Sequence, residues 1–142
     1  MNISIIFKDR APELWPFAAP LLAKGVYLQE SMLNMDTVIR HIIMGEWQLW
    51  LIDDGVDFLA ALTTRIVKYE TDKFRLEVLL AGGDDAAAWV PEFLEAVEAY
   101  AKQHLCDDVA IIGRKGWERM CKPHGYTHLT TTIRKQLRGL DS

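Results

Sequence analysis

The chain of 142 residues lacks the features that mark several large protein classes. It has two cysteines, Cys106 and Cys121, which are too few for a disulfide scaffold, so we expect a reducing compartment. Its four histidines are scattered, and no spacing of His and Cys is typical of a zinc site. No apolar run approaches the roughly 20 residues of a membrane span. The apolar stretch within the first ten residues is too short for a signal peptide, because charged residues follow it at positions 8–10. We therefore expect neither a membrane anchor nor secretion.

The composition is that of a folded protein with an uneven distribution of charge. Half of the residues are hydrophobic and a quarter are charged, which predicts one domain with a real core over residues 1–142. Residues 1–112 contain nine Lys/Arg and eighteen Asp/Glu, whereas residues 113–142 contain seven and two. This basic end is either a solvated edge or a face for an acidic partner, a phosphate or nucleic acid. Because aromatic residues do not interleave with the basic ones, we do not expect nucleic acid.

The first half of the chain predicts one strand, two helices and an antiparallel meander of three strands. We expect the first helix to end at Gly25 and the second to be capped by Asp36. The turn signals are Asp-Asp-Gly at 53–55 and Thr-Asp-Lys at 71–73. In the third strand of the meander, alternation predicts one shared face for a set of four residues: Phe74, Leu76, Val78 and Leu80.

The second half changes to helical spacing after Gly83. We expect a helix that begins near Ala88, because Pro91 suits a first turn, and that runs to about His104. The apolar run DDVAIIG predicts a central strand covered on both faces, and the β-rich run THLTTTIRKQL (residues 127–137) predicts a last strand. The predicted fold class is α/β mixed, with a mostly antiparallel central sheet and helices on both faces.

With this order, the run LLAGGDDAAAW…VPEFLEAVEAYAKQHLCDDVAIIGRKGWERMCKPHGY resembles the GNAT N-acetyltransferase superfamily. The likeness covers about residues 14–137 and includes a Gly followed by an aromatic, Gly125 and Tyr126, before the last strand. The motif GRKGW is similar to small GNAT-like proteins of tailed phages and prophages. The resemblance implies a GNAT-like fold, with acetyl-CoA in a gap between the fourth and fifth strands.

The resemblance also implies where the pyrophosphate of acetyl-CoA would bind, namely on the loop at residues 81–86. The glycines leave the backbone accessible, but the Gln or Arg of the family's loop is absent and two aspartates stand at the helix N-terminus. Either carboxylate can take the N–H groups that a phosphate would use, and both repel an anion. Near the end of the fifth strand, Arg114 and Lys115 can hold a phosphate or an acidic patch, or are simply solvated. The candidate cofactor residues are therefore Val78, Leu80, Gly82, Gly83, Asp84, Asp85, Arg114 and Lys115.

The candidate catalytic residues also follow from the resemblance. The family often has a Tyr five residues before the aromatic of its Gly-aromatic step, and here that position holds Cys121, which is either a general acid or a buried filler. A Glu on the fourth strand is the family's usual base. Glu77 fits this position, or it pairs with Arg75 or Arg65.

These departures favour a phage-type interaction module, non-catalytic or weakly catalytic, that acts in a virion, in its assembly or on a host factor. The alternative is an acetyl-CoA-dependent N-acetyltransferase that transfers directly to an amine, and a third hypothesis is a binder of another small ligand, so enzymatic activity stays open. We expect no cofactor for the module and acetyl-CoA for the alternative. We expect a protein partner, phage structural or host, with a homo-oligomer open and no membrane, and a location in the host cytoplasm or the virion.

Overall fold

A computed structural model describes residues 1–28, 33–113, 115–135 and 137–138. No helix in these ranges is long and apolar enough to cross a membrane. The strands are β1 (Asn2–Ile6), β2 (Gln48–Asp53), β3 (Phe58–Lys68), β4 (Phe74–Gly83) and β5 (Asp108–Ile111). The helices are α1 (Ala11–Leu28), α2 (Met35–Ile43), α3 (Ala86–Gln103) and α4 (Lys115–Cys121), and a 3-10 turn follows at Lys122–His124.

The five strands form one sheet in the order β1-β2-β3-β4-β5. The first four are antiparallel to their neighbours, and β5 is parallel to β4 across the α3 crossover. The turn between β2 and β3 is held by a carboxylate: Asp54 Oδ1 accepts hydrogen bonds from the N–H groups of Val56 and Asp57. The predicted mixed, mostly antiparallel sheet is confirmed.

Each face of the sheet carries its own hydrophobic core. On one face Leu62 and Leu76 of the sheet share a core with Phe93 of α3, and on the other Leu51 shares a core with Leu22 of α1. These five side chains are at most 1% exposed, and burying one of them contributes about 1.5–3 kcal/mol. The prediction of helices on both faces is therefore confirmed.

Three helix ends differ from the prediction. Helix α1 continues past Gly25 to Leu28, because Gly25 packs against β4 instead of forming a left-handed cap. Helix α2 is capped by Asn34, whose Oδ1 accepts the Thr37 N–H at 2.8 Å, and Asp36 lies inside the first turn. Helix α3 begins at Ala86 and contains Pro91 in its second turn.

The strands at the β5 end of the sheet also differ from the prediction. β5 is an edge strand of the described sheet, not a central one, because the predicted last strand that would flank it does not form in residues 127–135 and 137. Leu129, Ile133 and Leu137 are 65%, 90% and 88% exposed, so the described residues leave the apolar side of this β-rich run largely uncovered.

Candidate functional site

The sheet opens between β4 and β5 near its upper end, where β4 finishes. The ladder between them runs from the pair Arg75 and Asp108 to the pair Val78 and Ile111, and the Ile112 N–H donates the last hydrogen bond to the Val78 carbonyl at 3.0 Å. Beyond it β4 continues to Gly83 while the chain leaves β5 toward α4. The last five residues of β4 thus have no strand partner on the β5 side within the described chain.

A β-bulge at Leu79 lies at the point where the two strands part. Thr64 pairs with Val78 and Thr63 pairs with Leu80, so Leu79 is an extra residue on β4. The bulge reverses the side-chain alternation, and Val78 packs under α3 whereas Leu80 packs under α1 and α2. The predicted shared face of Phe74, Leu76, Val78 and Leu80 is therefore wrong beyond Val78.

The end of β4, beyond the point where the two strands part, forms the floor of a cleft of about 430 Å³. Its apolar wall includes the rings of Trp89 and Trp117, whose centroids are 6.1 Å apart, and its cations are Lys24 and Lys115. The full lining, contributed by α1, β4, α3 and α4, is Lys24, Gly25, Ala81, Gly82, Gly83, Ala86, Trp89, Lys115, Gly116, Trp117 and Met120. A concave site that combines aromatic walls with cations and bare backbone suits a ligand that is part apolar and part anionic.

The glycines of the loop serve close packing as well as access. A Cβ on Gly82 would lie 1.8 Å from the Leu21 carbonyl oxygen of α1, and one on Gly83 would lie 2.3 Å from the Leu59 carbonyl oxygen. Gly83 also has φ +151°, which a side chain rarely allows. Helix α1 therefore lies directly on the β4 backbone, and on that side Gly82 is covered.

The two loop aspartates do not occupy the helix N-terminus with their carboxylates. Asp84 turns toward α1, where its oxygens lie 3.2 and 3.3 Å from Lys24 Nζ, while its carbonyl accepts the Trp89 Nε1–H at 2.8 Å. Asp85 stands at the N-cap with φ 60°, and its side chain makes no capping hydrogen bond. The prediction that these carboxylates take the N–H groups of α3 is not met in this geometry.

Glu77 lies one residue before the last paired position of β4 but does not line the cleft. Its side chain is about 10% exposed and points to the α1 and α2 face, opposite to Leu76 and Val78. Arg65, its register partner on β3, donates from Nε to Oε1 at 2.7 Å. Of the two predicted pairings, the structure therefore has the one with Arg65, while Arg75 binds Asp108.

Cys121 lies in the α3-side core, is 2% exposed and does not line the cleft. Burial raises the pKa of its thiol to about 11, and the negative charge of Glu98 adds to the effect. Burial also raises the pKa of Tyr126, whose hydroxyl donates to Glu98 at 2.8 Å. This geometry favours packing for Cys121, and its catalytic role stays a prediction.

The other predicted site residues are only partly brought together. Lys115, Gly82 and Gly83 line the cleft, whereas Val78 and Leu80 do not and pack in the cores on opposite faces of the sheet. Arg114 lies outside the described residues. The described residues contain no group of three or more metal-ligating side chains.

Two residues of the cleft were not predicted as functional from the sequence. Lys24 carries no local signal, since nothing in the neighbouring sequence connects it with Asp84, 60 positions later. Trp89 is not among the predicted site residues, although it fixes the loop through the Asp84 carbonyl. Its position five residues after that aspartate, at the start of a helix, was the available signal.

Comparison with known proteins identifies the fold. No family model matches the chain, and no curated protein sequence matches it. Among solved structures, a probable acetyltransferase superposes with a TM-score of 0.72 at 12% identity over 100% of both chains. A predicted acetyltransferase with acetyl-CoA from Clostridium acetobutylicum gives 0.66 at 10% identity over 96% of both chains. A GNAT family acetyltransferase from Staphylococcus aureus gives 0.62 at 13% identity over 96% of this chain and 100% of the other. The chain thus has the GNAT fold.

Proposed function

We propose that the protein is an acetyl-CoA-dependent N-acetyltransferase that transfers directly to an amine. The observation that carries the proposal is the cleft at the end of β4, beyond its ladder with β5, which opens beside the N-terminus of α3. No carboxylate of the described residues caps the amides of that terminus. One structure with the same fold contains acetyl-CoA, which supports the choice of ligand. This proposal takes the alternative hypothesis above the interaction module, because neither loop carboxylate forms a capping hydrogen bond with α3.

The residues of the cleft fit the two chemical parts of acetyl-CoA. The N–H groups of Ala86 and Ala87 begin α3, and neither has a hydrogen-bond partner in the described chain. Together with the positive pole of the helix they would hold the pyrophosphate, and Lys24 and Lys115 would supply charge. Trp89, with the neighbouring apolar wall, would contact the less polar arm.

When bound, the cofactor supplies an acetyl group activated as a thioester. The backbone amides from Val78 to Leu80 lie where β4 loses its β5 partner, and we assign them to hold the carbonyl oxygen. The second oxygen of Glu77, Oε2, has no hydrogen-bond partner among the described residues, whereas Oε1 is held by Arg65. We assign Oε2 to accept the proton of the attacking amine, directly or through water.

Calorimetric titration with acetyl-CoA tests the proposal. We expect binding in the micromolar range, and about fivefold tighter binding for Asp84→Asn and for Asp85→Asn, since a like charge within 4–6 Å costs about 1 kcal/mol. The matched control is Asp72→Asn. Asp72 has φ 61° like Asp85 at 60°, but it lies in the β3–β4 turn at the other end of the sheet, so the affinity should not change.

The same titration separates the two leading hypotheses. Absence of binding at millimolar acetyl-CoA would contradict the enzyme and favour the interaction module. Binding that Asp84→Asn and Asp85→Asn leave unchanged would show that these carboxylates stay away from the phosphate.

Glu77→Gln tests the assigned base. The substitution keeps the size of the side chain and removes the proton acceptor, so we expect kcat/KM to fall about 100-fold while acetyl-CoA affinity is kept. The rate of thiol release from acetyl-CoA, followed with a panel of primary amines, gives kcat/KM. Arg65→Gln is the comparison: it removes the hydrogen bond to Oε1 but keeps the carboxylate, so kcat/KM should fall less. Equal activity of Glu77→Gln and the unchanged protein would assign Glu77 a purely structural role.

A further inference from the structure

We propose that Arg65 selects the acceptor of the transferase by binding a carboxylate, so that the substrates are small amino acids with a free amine and a free carboxylate. This role rests on the proposed function, because it requires that Glu77 accepts the proton of the amine. Arg65 would thus be a specificity-determining residue on β3, which contacts the substrate but takes no part in the proton transfer.

The ion pair of Arg65 and Glu77 is only half used by the described chain. The two residues are register partners on β3 and β4, and Arg65 Nε donates to Glu77 Oε1 at 2.7 Å. Among the described residues, neither Glu77 Oε2 nor the Arg65 nitrogens Nη1 and Nη2 have a hydrogen-bond partner. A guanidinium has more N–H donors than one carboxylate oxygen can use. The pair therefore offers a free acceptor and a free cationic fork side by side.

Arg75 provides the comparison on the same face of the sheet. It lies two residues before Glu77 on β4, so its side chain leaves the strand on the same side. Its Nε and Nη2 bind the two oxygens of Asp108 at 2.8 and 2.9 Å, and its guanidinium carbon lies 5.3 Å from the centroid of the Tyr69 ring. Asp108 thus already fills the fork of Arg75. Arg65 is the neighbour of Glu77 whose fork is left for a ligand.

The exposure of the pair sets the direction in which a substrate binds. The side chain of Arg65 is 43% exposed, whereas that of Glu77 is 10% exposed. A substrate that arrives from solvent therefore meets the guanidinium first and reaches the carboxylate of Glu77 with its inner end. That inner end must carry the amine, because Glu77 directly precedes the amides from Val78 to Leu80 that are assigned to the acetyl carbonyl. The low exposure of Glu77 also favours a small substrate.

An amino acid matches the two free groups of the pair. Its amine donates to Glu77 Oε2 and its carboxylate accepts from Arg65 Nη1 and Nη2, while one carbon joins the two ends. A carboxylate held in this way forms bidentate, charge-assisted hydrogen bonds, which are stronger than those of a neutral acceptor. A carboxamide of the same size offers only a neutral oxygen, and a simple amine offers the guanidinium nothing. The arrangement therefore selects for the carboxylate.

Paired substrates measure this selection. Each amino acid of a panel is compared with its own carboxamide, and the rate of thiol release from acetyl-CoA gives kcat/KM for both. We expect the unchanged protein to prefer the carboxylate form about tenfold or more. The ratio of the two kcat/KM values is the readout, because any effect of a variant on Glu77 acts on both substrates alike.

Arg65→Gln should lower this ratio at least about tenfold, because it removes the cationic fork. Arg65→Lys should keep part of the preference, since lysine retains the charge without the planar fork, and it carries the test if Arg65→Gln does not fold. The matched control is Arg75→Gln, whose native fork is filled by Asp108, so the ratio should not change. The intrinsic reactivities of the two substrates cancel when variants are compared. Calorimetric titration with acetyl-CoA shows that each variant is folded.

The role of Arg65 and the proposed function fail in different ways. A ratio that is unchanged in Arg65→Gln, or that falls equally in Arg75→Gln, would overturn the role of Arg65 and leave the transferase intact. An unchanged protein that acetylates carboxamides as well as amino acids would overturn the substrate class in the same way. If neither acetyl-CoA binding nor thiol release occurs with any amine, the proposed function fails and the role of Arg65 fails with it.

Discussion

Gly82→Ala is expected to destabilise the protein by about 3 kcal/mol or more, which is overpacking at the upper end of its usual range. The added Cβ would lie 1.8 Å from the Leu21 carbonyl oxygen, 2.8 Å from its carbon and 3.2 Å from the Gly25 nitrogen. All three are backbone atoms, so no side chain can rotate away. Relief requires that α1 move off β4, which opens the core around Leu22 and Leu80. Chemical denaturation measures the loss.

Gly116→Ala is the matched control, because Gly116 lines the same cleft but an added methyl group there would meet nothing within 4 Å. It lies in α4, where alanine is preferred to glycine by about 0.5–1 kcal/mol. We therefore expect a small gain in stability. Equal effects of the two substitutions would mean that α1 is not pressed against β4 as the structure has it.

Trp89→Ala is expected to cost about 3–5 kcal/mol of unfolding free energy, the usual range for a fully buried large aromatic. The side chain is 2% exposed, and its ring packs against Phe93 and Trp117 at centroid distances of 6.3 and 6.1 Å. Its Nε1–H also holds the Asp84 carbonyl. The substitution thus leaves a cavity below the loop and releases the loop itself, which should weaken acetyl-CoA binding as well.

Trp89→Phe separates these two contributions. Phenylalanine keeps one buried aromatic ring but loses the pyrrole part of the indole together with its hydrogen bond, so we expect an intermediate cost of about 2 kcal/mol. Denaturation curves for both variants give the comparison. A cost below about 1 kcal/mol for Trp89→Ala would contradict the buried position of this ring.

Much of the fold was predictable because the signals are local. Period-two alternation and the turn residues around Asp53–Gly55 and at residues 71–73 located the meander, and helical spacing from Trp89 to Ala101 located α3. The errors concern neighbours that are distant in the chain. Gly25 has the composition of a helix cap, but contact with Ala81 of β4 makes it an interior position. Residues 127–135 have strand propensity but form no strand in the described part of the chain, so propensity alone did not decide their structure.

The position of the candidate site was predictable from the sequence, but the directions of its charged side chains were not. The glycines and the aspartates of the loop marked the end of β4, and the resemblance connected it with acetyl-CoA. The direction of each carboxylate depends on φ at Asp85 and on the approach of Lys24 from α1. Neither could be obtained from the loop sequence.

By itself the sequence determined the order of helices and strands from β1 to β5 and the position of the loop between β4 and α3, because periodicity, caps and turns act over a few residues. The tertiary structure alone decided that a bulge at Leu79 turns Leu80 to the other face and that Lys24 draws Asp84 away from the helix N-terminus. The physical reason is that strand register and ion pairing depend on groups brought together only by folding.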